Sequence, residues 1–430
     1  MEKVEVIIVG AGLAGLSTAM VLAKAGAEVM VVERGDYPGS KNVTGGRLYL
    51  GPVRQYLPDW WEEAPFERKV VKERLAIMAP ESSLTVELNS ERFRQTPHPS
   101  HTILRSTFDR WFADQVAEQG ALIIPGYKVD DLVIENGQVK GIVSAGDTIH
   151  ANVVVAADGA LSFLAEKAGL REKHLARDFA LGVKEVIELP AQTIQDRFGV
   201  SEGEGAAQLF FGSLTHGMLG GGFVYTNRES LSLGMVVGIH DLQKEEPAIS
   251  PHELLEAFKA RPEVQPLIAG GNSVEYAAHA LPEGGFEALP DRLVRDGLLL
   301  VGDAAGFALN MGVTMRGMDF AIASGALAGQ TIRWAIAQKD FSAETLSHYE
   351  TSLKDSFVWQ DLETFQHMPD YLNNPRLFES YPPAVCALFE EIMSIGAEPK
   401  ERFMKTVFQS VGQNLLKMNV YKDLFGLRKL

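Results

Sequence analysis

The stretch VEVIIVGAGLAGLSTAMVLAKAGAEVMVVERG, Val4 to Gly35, decides the fold. Val4 to Val9, apolar except for Glu5, reads as a buried strand, Gly10, Gly12 and Gly15 form G-x-G-x-x-G, and Leu16 to Lys24 reads as a helix. Val29 to Val32 is a second apolar run, closed by Glu33 and Arg34. Strand, glycine turn, helix, strand and acid in that order define a dinucleotide-binding unit. Gly10 allows the tight turn, Gly12 lets backbone approach a pyrophosphate and Gly15 lets the helix pack close to the strand, with Ala11, Leu13 and Ala14 completing the turn. Glu33 is placed to accept hydrogen bonds from an adenosine ribose, and its charge disfavours the 2′-phosphate of NADP.

At 430 residues, 46% apolar and 22% charged, the chain reads as a soluble globular protein of two or three domains. Forty basic residues against 56 acidic give a net charge of −16, which argues against a nucleic-acid partner. Cys386 is the sole cysteine, so no internal disulfide forms and a cytoplasmic setting is expected. One thiol also excludes a disulfide-type flavin reductase and a resident [4Fe–4S] cluster, which needs about four thiolates. No run reaches the ~18 apolar residues that span a bilayer, and the N-terminus starts a structural strand where a signal peptide would need a cleavable region.

The expected class is α/β: a Rossmann-type dinucleotide-binding domain with an inserted β-rich domain and a helical C-terminal region. Glu118 to Ile124, Lys128 to Glu135, Gln138 to Ser144, Asp147 to His150 and Asn152 to Ala157 read as strands and hairpins, with Asn136-Gly137 as a turn. The last strand of that sheet, Leu298 to Val301, ends in Gly302-Asp303-Ala304-Ala305-Gly306 ahead of a small-residue helix from Arg316 to Trp334. The expected boundaries are therefore 1–175 plus 295–335 for the nucleotide-binding domain, 176–294 for the insertion and 336–430 for the helical region. Inside the insertion, Ala180 to Leu189, Ala207 to Phe211, Gly221 to Thr226 and Ser230 to Ile239 have strand character.

Three distant motifs, the glycine turn, Asp158-Gly159 and Gly302-Asp303, end on one side of the sheet, where open α/β folds bind ligands. Their combination resembles the FAD-dependent superfamily of aromatic hydroxylases, geranylgeranyl reductases and electron-transfer flavoprotein:quinone oxidoreductases, which implies FAD. The resemblance places Asp303 on the ribityl chain, Arg105 of LRSTFDRWF in the FAD motif and Val129 against adenine. It also aims the helix after Gly317 at the flavin pyrimidine, with Gly312 and Arg316 in the same segment. Arg316 is read as a cation that raises the flavin potential, or else as a carboxylate-paired arginine.

GSKNVTGGRLY (Gly39 to Tyr49), LGVKEVIELP (Leu181 to Pro190), GGGFVYTNRESLSLGMVVG (Gly220 to Gly238), ALPEGG (Ala280 to Gly285) and SFVWQDLETFQHMPDYLNNPRLFESYP (Ser356 to Pro382) narrow the likeness. Over almost its whole length the chain is similar to FixC flavoproteins, relatives of the electron-transfer flavoprotein:quinone oxidoreductases. That resemblance implies that Gly45, Gly46 and Arg47 approach the isoalloxazine, and that Gly220, Gly221, Gly284 and Gly285 line a quinone pocket. For the glycine pairs a bulge, hairpin or plain turn is the competing reading. It further implies electrons arriving from electron-transfer flavoprotein α and β subunits through a small ferredoxin-like [4Fe–4S] subunit, and leaving to a membrane quinone. No general acid or base is assigned, since His98, His101, His216, His279 and His367 are scattered.

Phe403, Val407, Val411 and Leu415 face Lys405, Gln409, Gln413 and Lys417 across an expected amphipathic helix. Residues 400 to 430 carry seven basic and two acidic side chains, which fits either peripheral contact with the cytoplasmic face of an inner membrane or packing on a domain or partner subunit. Two alternatives stay open at this level: a geranylgeranyl-reductase-like flavoenzyme and an NADPH-dependent flavin monooxygenase. Against the latter stands Ala165, where the D-G-x-x-S-x-x-R motif carries arginine.

Overall fold

The N-terminal apolar run shows no alternation because both its faces are covered: Val6, Ile7 and Ile8 are fully buried. The computed structural model describes residues 3–42, 45–57, 61–95, 100–172, 175–244, 248–397, 399–400, 402–405 and 423. Lys3–Val9 runs in parallel between Val29–Val32 and Asp147–Ala156, and Leu122–Ile124 and Leu298–Leu300 extend the sheet in parallel on either side. The hairpin Asp131–Glu135 with Gln138–Ser144 caps this eight-stranded sheet. Its turn takes left-handed φ at both Asn136 (51°) and Gly137 (83°), as an Asn-Gly hairpin requires. Helices Leu13–Lys24 and Met318–Gln338 pack together on the sheet. The first begins three residues earlier than its periodicity suggests, because Gly12 takes an extended conformation and serves as the cap.

A second, nine-stranded sheet holds the expected insertion strands as Phe179–Glu188, Glu204–Gly212, Gly220–Thr226 and Ser230–Gly238, with Asn272–Pro282 at one edge. It differs from expectation at its other side. Gly46–Tyr49, Lys69–Met78, Ser83–Asn89 and Ser100–Ile103 belong to this sheet, although the sequence reading placed residues 1–175 together in the nucleotide-binding domain. The join is the parallel pairing of Lys69–Met78 with Glu204–Gly212, between segments far apart in sequence. Local patterning carries no signal for such a pairing, because each strand sees its partner only after the chain has closed a long loop.

His101 sits in this sheet stacked on Phe66, ring centroids 4.4 Å apart, with its Nδ1 buried and unpartnered. Burial, aided by the charges of Lys69 and Arg54, pushes its pKa down to about 4. A histidine whose folded pKa is depressed takes up protons on unfolding, so its contribution is intact above the ordinary histidine value and is lost as pH falls toward 4. The melting temperature is therefore expected to drop between pH 6.5 and 4, and His101→Gln to flatten that drop. An unchanged pH profile in that variant would contradict the assignment.

Beyond Gln338 the described chain is helical, from Ala343–Leu346 to Tyr381–Met393. The expected amphipathic helix lies outside the described residues except for 403–405, and among the described residues no helix is long and apolar enough to cross a membrane.

Candidate functional site

The two sheets enclose a cavity of about 760 Å³. One wall is the carboxyl-end rim of the parallel sheet, where ligands of open α/β folds collect. Gly10, Gly12, Leu13, Ala14, Glu33 and Arg34 line it there, joined by Arg105, Val129, Asp158, Gly159 and Asp303. Gly45, Gly46, Arg47, Arg316 and Gly317 line the other end.

The glycine turn is built as its spacing demands. Gly10 has φ 109°, and a Cβ there would lie 2.2 Å from the Ala157 carbonyl oxygen. At Gly15 a Cβ would stand 2.0 Å from the Gly10 oxygen, whereas at Gly12 it would meet nothing within 4 Å. So Gly10 and Gly15 serve backbone packing, and Gly12 leaves open space before a helix N-terminus. That helix has no side-chain cap and no acidic residue in its first turn, which leaves free N–H groups for an anion. Glu33 braces the turn by accepting from the Ala11 N–H at 2.9 Å and the Gly35 N–H at 2.7 Å.

Asp303 faces the cavity, and among the described residues no donor reaches its carboxylate. Burial pushes its pKa up to about 6, against the pull of Arg105. Arg105 is held by a two-pronged pair with fully buried Asp109, both contacts 2.8 Å. Asp158 is engaged locally: it accepts from the Ser162 hydroxyl at 2.6 Å and the Leu164 N–H at 3.2 Å, so it also caps the helix Phe163–Lys167. An extended cavity with an uncapped helix N-terminus near one end and a donor-seeking buried carboxylate in its wall fits a dinucleotide, and Asp303 is the group that would accept from its hydroxyls.

Four expected contacts do not line the cavity. Ala11 is buried and donates to Glu33, Gly302 has φ 58° and no room for a Cβ, which would stand 2.7 Å from Ala14 Cβ, Gly15 packs on Gly10, and Gly312 faces Met368. The expected quinone glycines are also elsewhere. Gly220 and Gly221 lie within a strand whose neighbours come so close that a Cβ would sit 2.1 Å from the Val236 oxygen and 2.5 Å from the Phe210 oxygen. Gly284 packs on Ala288, and Gly285 lines a small side cavity of about 10 Å³.

Arg316 carries two carboxylate partners: Asp319, at 2.6 Å from Nη2, and Asp361. Its charge is thereby more than balanced, so it offers the cavity no net positive charge. The paired reading is the one the geometry favours. The sequence reading passed over Lys184, whose ammonium donates to the Gly45 carbonyl and lines the cavity. Burial, then the charge of Arg105, holds its pKa well below the lysine range. Its signal was the charged pair Lys184-Glu185 inside an otherwise apolar strand that is buried on both faces.

Fold and cavity define an FAD-dependent oxidoreductase, and residues 5–94 match the family described as FAD dependent oxidoreductase. Residues 179–281 match the family described as ETF-QO, ubiquinone-binding, and residues 368–430 the ETF-QO/FixC family C-terminal domain. The protein FixC of Escherichia coli K12 is 44% identical over 97% of both chains. The probable electron transfer flavoprotein-quinone oxidoreductase YdiS of the same organism is 43% identical over 94% of both. A solved geranylgeranyl bacteriochlorophyll reductase-like protein from Thermoplasma acidophilum shares the fold, with a TM-score of 0.74 at 21% identity, covering 99% of this chain and all of its own. The chain belongs to the FixC family of electron-transfer flavoprotein–quinone oxidoreductase-like flavoproteins, and FAD is its cofactor.

Proposed function

We propose that this chain delivers electrons to a quinone, having received them from an electron-transfer flavoprotein of α and β subunits through a separate ferredoxin-like [4Fe–4S] subunit. Bound FAD supplies the redox centre. The observation that carries the reading is the second wall of the cavity. Leu181, Val183, Phe223 and Val236 face the Gly45-Gly46 end, and all four lie in the segment that matches the ubiquinone-binding family. An apolar wall of this kind excludes water and suits a quinone ring.

The chain's own residues position and insulate. Lys184 fixes the Gly45 carbonyl, Arg105 and Asp303 would hold polar groups of the cofactor, and the Gly12 end would take its phosphates. The thiol count supports this reading, because a cluster would need thiolates from another chain: Cys386 is buried and directed at the Ile77 carbonyl oxygen, 3.6 Å away. The quinone is met at a membrane surface, and the basic segment 400–430 supports peripheral attachment at the cytoplasmic face of an inner membrane.

The rival chemistry is direct reduction by NADPH. In an anaerobic spectrum of the purified flavoprotein, NADPH is expected to leave the flavin oxidised, while the electron-transfer flavoprotein with its iron–sulfur subunit bleaches it. Rapid bleaching by NADPH alone would replace this reading with a reductase or monooxygenase.

A further inference from the structure

Glu283 stands between two cavities. It lines the main cavity and also the side cavity formed with Leu219, Gly285, Leu309, Asn310, Pro369 and Leu372. Leu219, Gly285, Pro369 and Leu372 around it are half-buried. At about 10 Å³ the side cavity has room for about one water. Glu283 itself is buried; Oε2 accepts from Asn310 Nδ2 at 3.2 Å, and Oε1 is buried without a partner. Its backbone is pinned, because the N–H groups of Glu283 and Gly284 both donate to the Asp178 carbonyl, at 2.8 and 3.1 Å.

A carboxyl in such a place is costly as an anion and serviceable as an acid. Burial pushes its pKa up to about 7, and the Asn310 donor pulls the other way. The groups around it are Asp178 with its Arg177 partner, Asp370 on the helix Met368–Leu372, and His279, Asp303 and Arg316 in the main cavity wall. Burial and Asn310, not these charges, set its titration.

We propose that Glu283 is the proton donor to the quinone, and that the side cavity returns the proton from solvent; this rests on the quinone reading above. A quinone that accepts two electrons from the reduced cofactor must also gain two protons, each converting a C=O into C–O–H. The Glu283 O–H bond breaks as the first quinone O–H forms, leaving a carboxylate. A proton from bulk solvent, relayed through the water in the side cavity with no net change to that water, restores the Glu283 O–H, which then supplies the second proton, and the hydroquinone leaves.

The test compares wild type with Glu283→Gln, which keeps the shape and an acceptor for Asn310 but has no acidic proton. Chemically reduced flavoprotein is mixed anaerobically with a short-chain quinone, or with ferricenium, which takes an electron and no proton. Wild type is expected to slow as pH rises through about 7 with quinone alone, and the variant to react about 10²-fold more slowly with quinone and equally fast with ferricenium. The pH-difference infrared spectrum of the oxidised holoprotein is expected to show a carboxyl band titrating near pH 7 that the variant lacks. Equal quinone rates in the two proteins overturn the Glu283 assignment and leave the quinone reading standing. A wild type oxidised by ferricenium but inert to quinone sinks both.

Discussion

Gly325→Ala is expected to lower the melting temperature, although alanine inside a helix ordinarily gains about 1 kcal/mol over glycine. Gly325 lies in the middle of Met318–Gln338, where that helix meets Leu13–Lys24. An added Cβ would stand 2.1 Å from the Ala14 carbonyl oxygen, a backbone atom that cannot swing away. The Thr18 hydroxyl also donates to the Gly325 carbonyl at 2.9 Å and would be displaced with it. Overpacking of this kind costs about 1–3 kcal/mol and outweighs the propensity gain. Gly325→Val is expected to go further and yield protein without FAD, because Ala14, in the first turn of Leu13–Lys24, lines the cavity. Thermal melts and the flavin absorbance of the purified variants measure both effects; a Gly325→Ala protein that melts higher than wild type would show that the helices separate freely.

Arg105→Met carries the second large effect. It strips fully buried Asp109 of its two-pronged partner, leaving the Asn42 amide as its remaining side-chain donor among the described residues. Breaking a buried pair from one side costs about 3–5 kcal/mol, because a desolvated charge is left behind. Loss of the Arg105 charge also frees Asp303 to rise further above its present value near 6. Combining Arg105→Met with Asp109→Leu removes the stranded charge, so stability is expected to return while the FAD content stays low. If the double variant regains both stability and full FAD, Arg105 serves Asp109 alone and not the cofactor.

The sequence exposed what depends on short-range geometry. The spacing of Gly10, Gly12 and Gly15 requires one glycine for a turn, one for open space and one for close packing, and each takes that place. Asn136-Gly137 likewise needs only its own backbone angles. Pairings across long stretches of chain stayed hidden. Lys69–Met78 finds Glu204–Gly212, and Arg316 finds Asp361 as well as its neighbour Asp319. Glycine is ambiguous for a related reason: Gly220 and Gly221 admit a neighbouring strand, a use that a ligand contact would also leave as glycine in the sequence. Lys184 and Glu283 were missed because a charged residue near a strand end or among apolar neighbours looks like a solvent-facing one until both faces are seen to be covered.

The cavity is lined by both sheets. Its first wall follows from the N-terminal motif, and its second from strands that local sequence patterns only partly reveal. Electron delivery to a quinone requires both walls to meet at one cofactor. The most direct measurement is therefore a single turnover: chemically reduced flavoprotein mixed anaerobically with one equivalent of a short-chain quinone, with flavin and hydroquinone followed together. The expected result is rapid reoxidation with one hydroquinone formed per flavin. A flavin that stays reduced in the presence of quinone, yet is reoxidised by ferricenium, would contradict the proposed function at its centre.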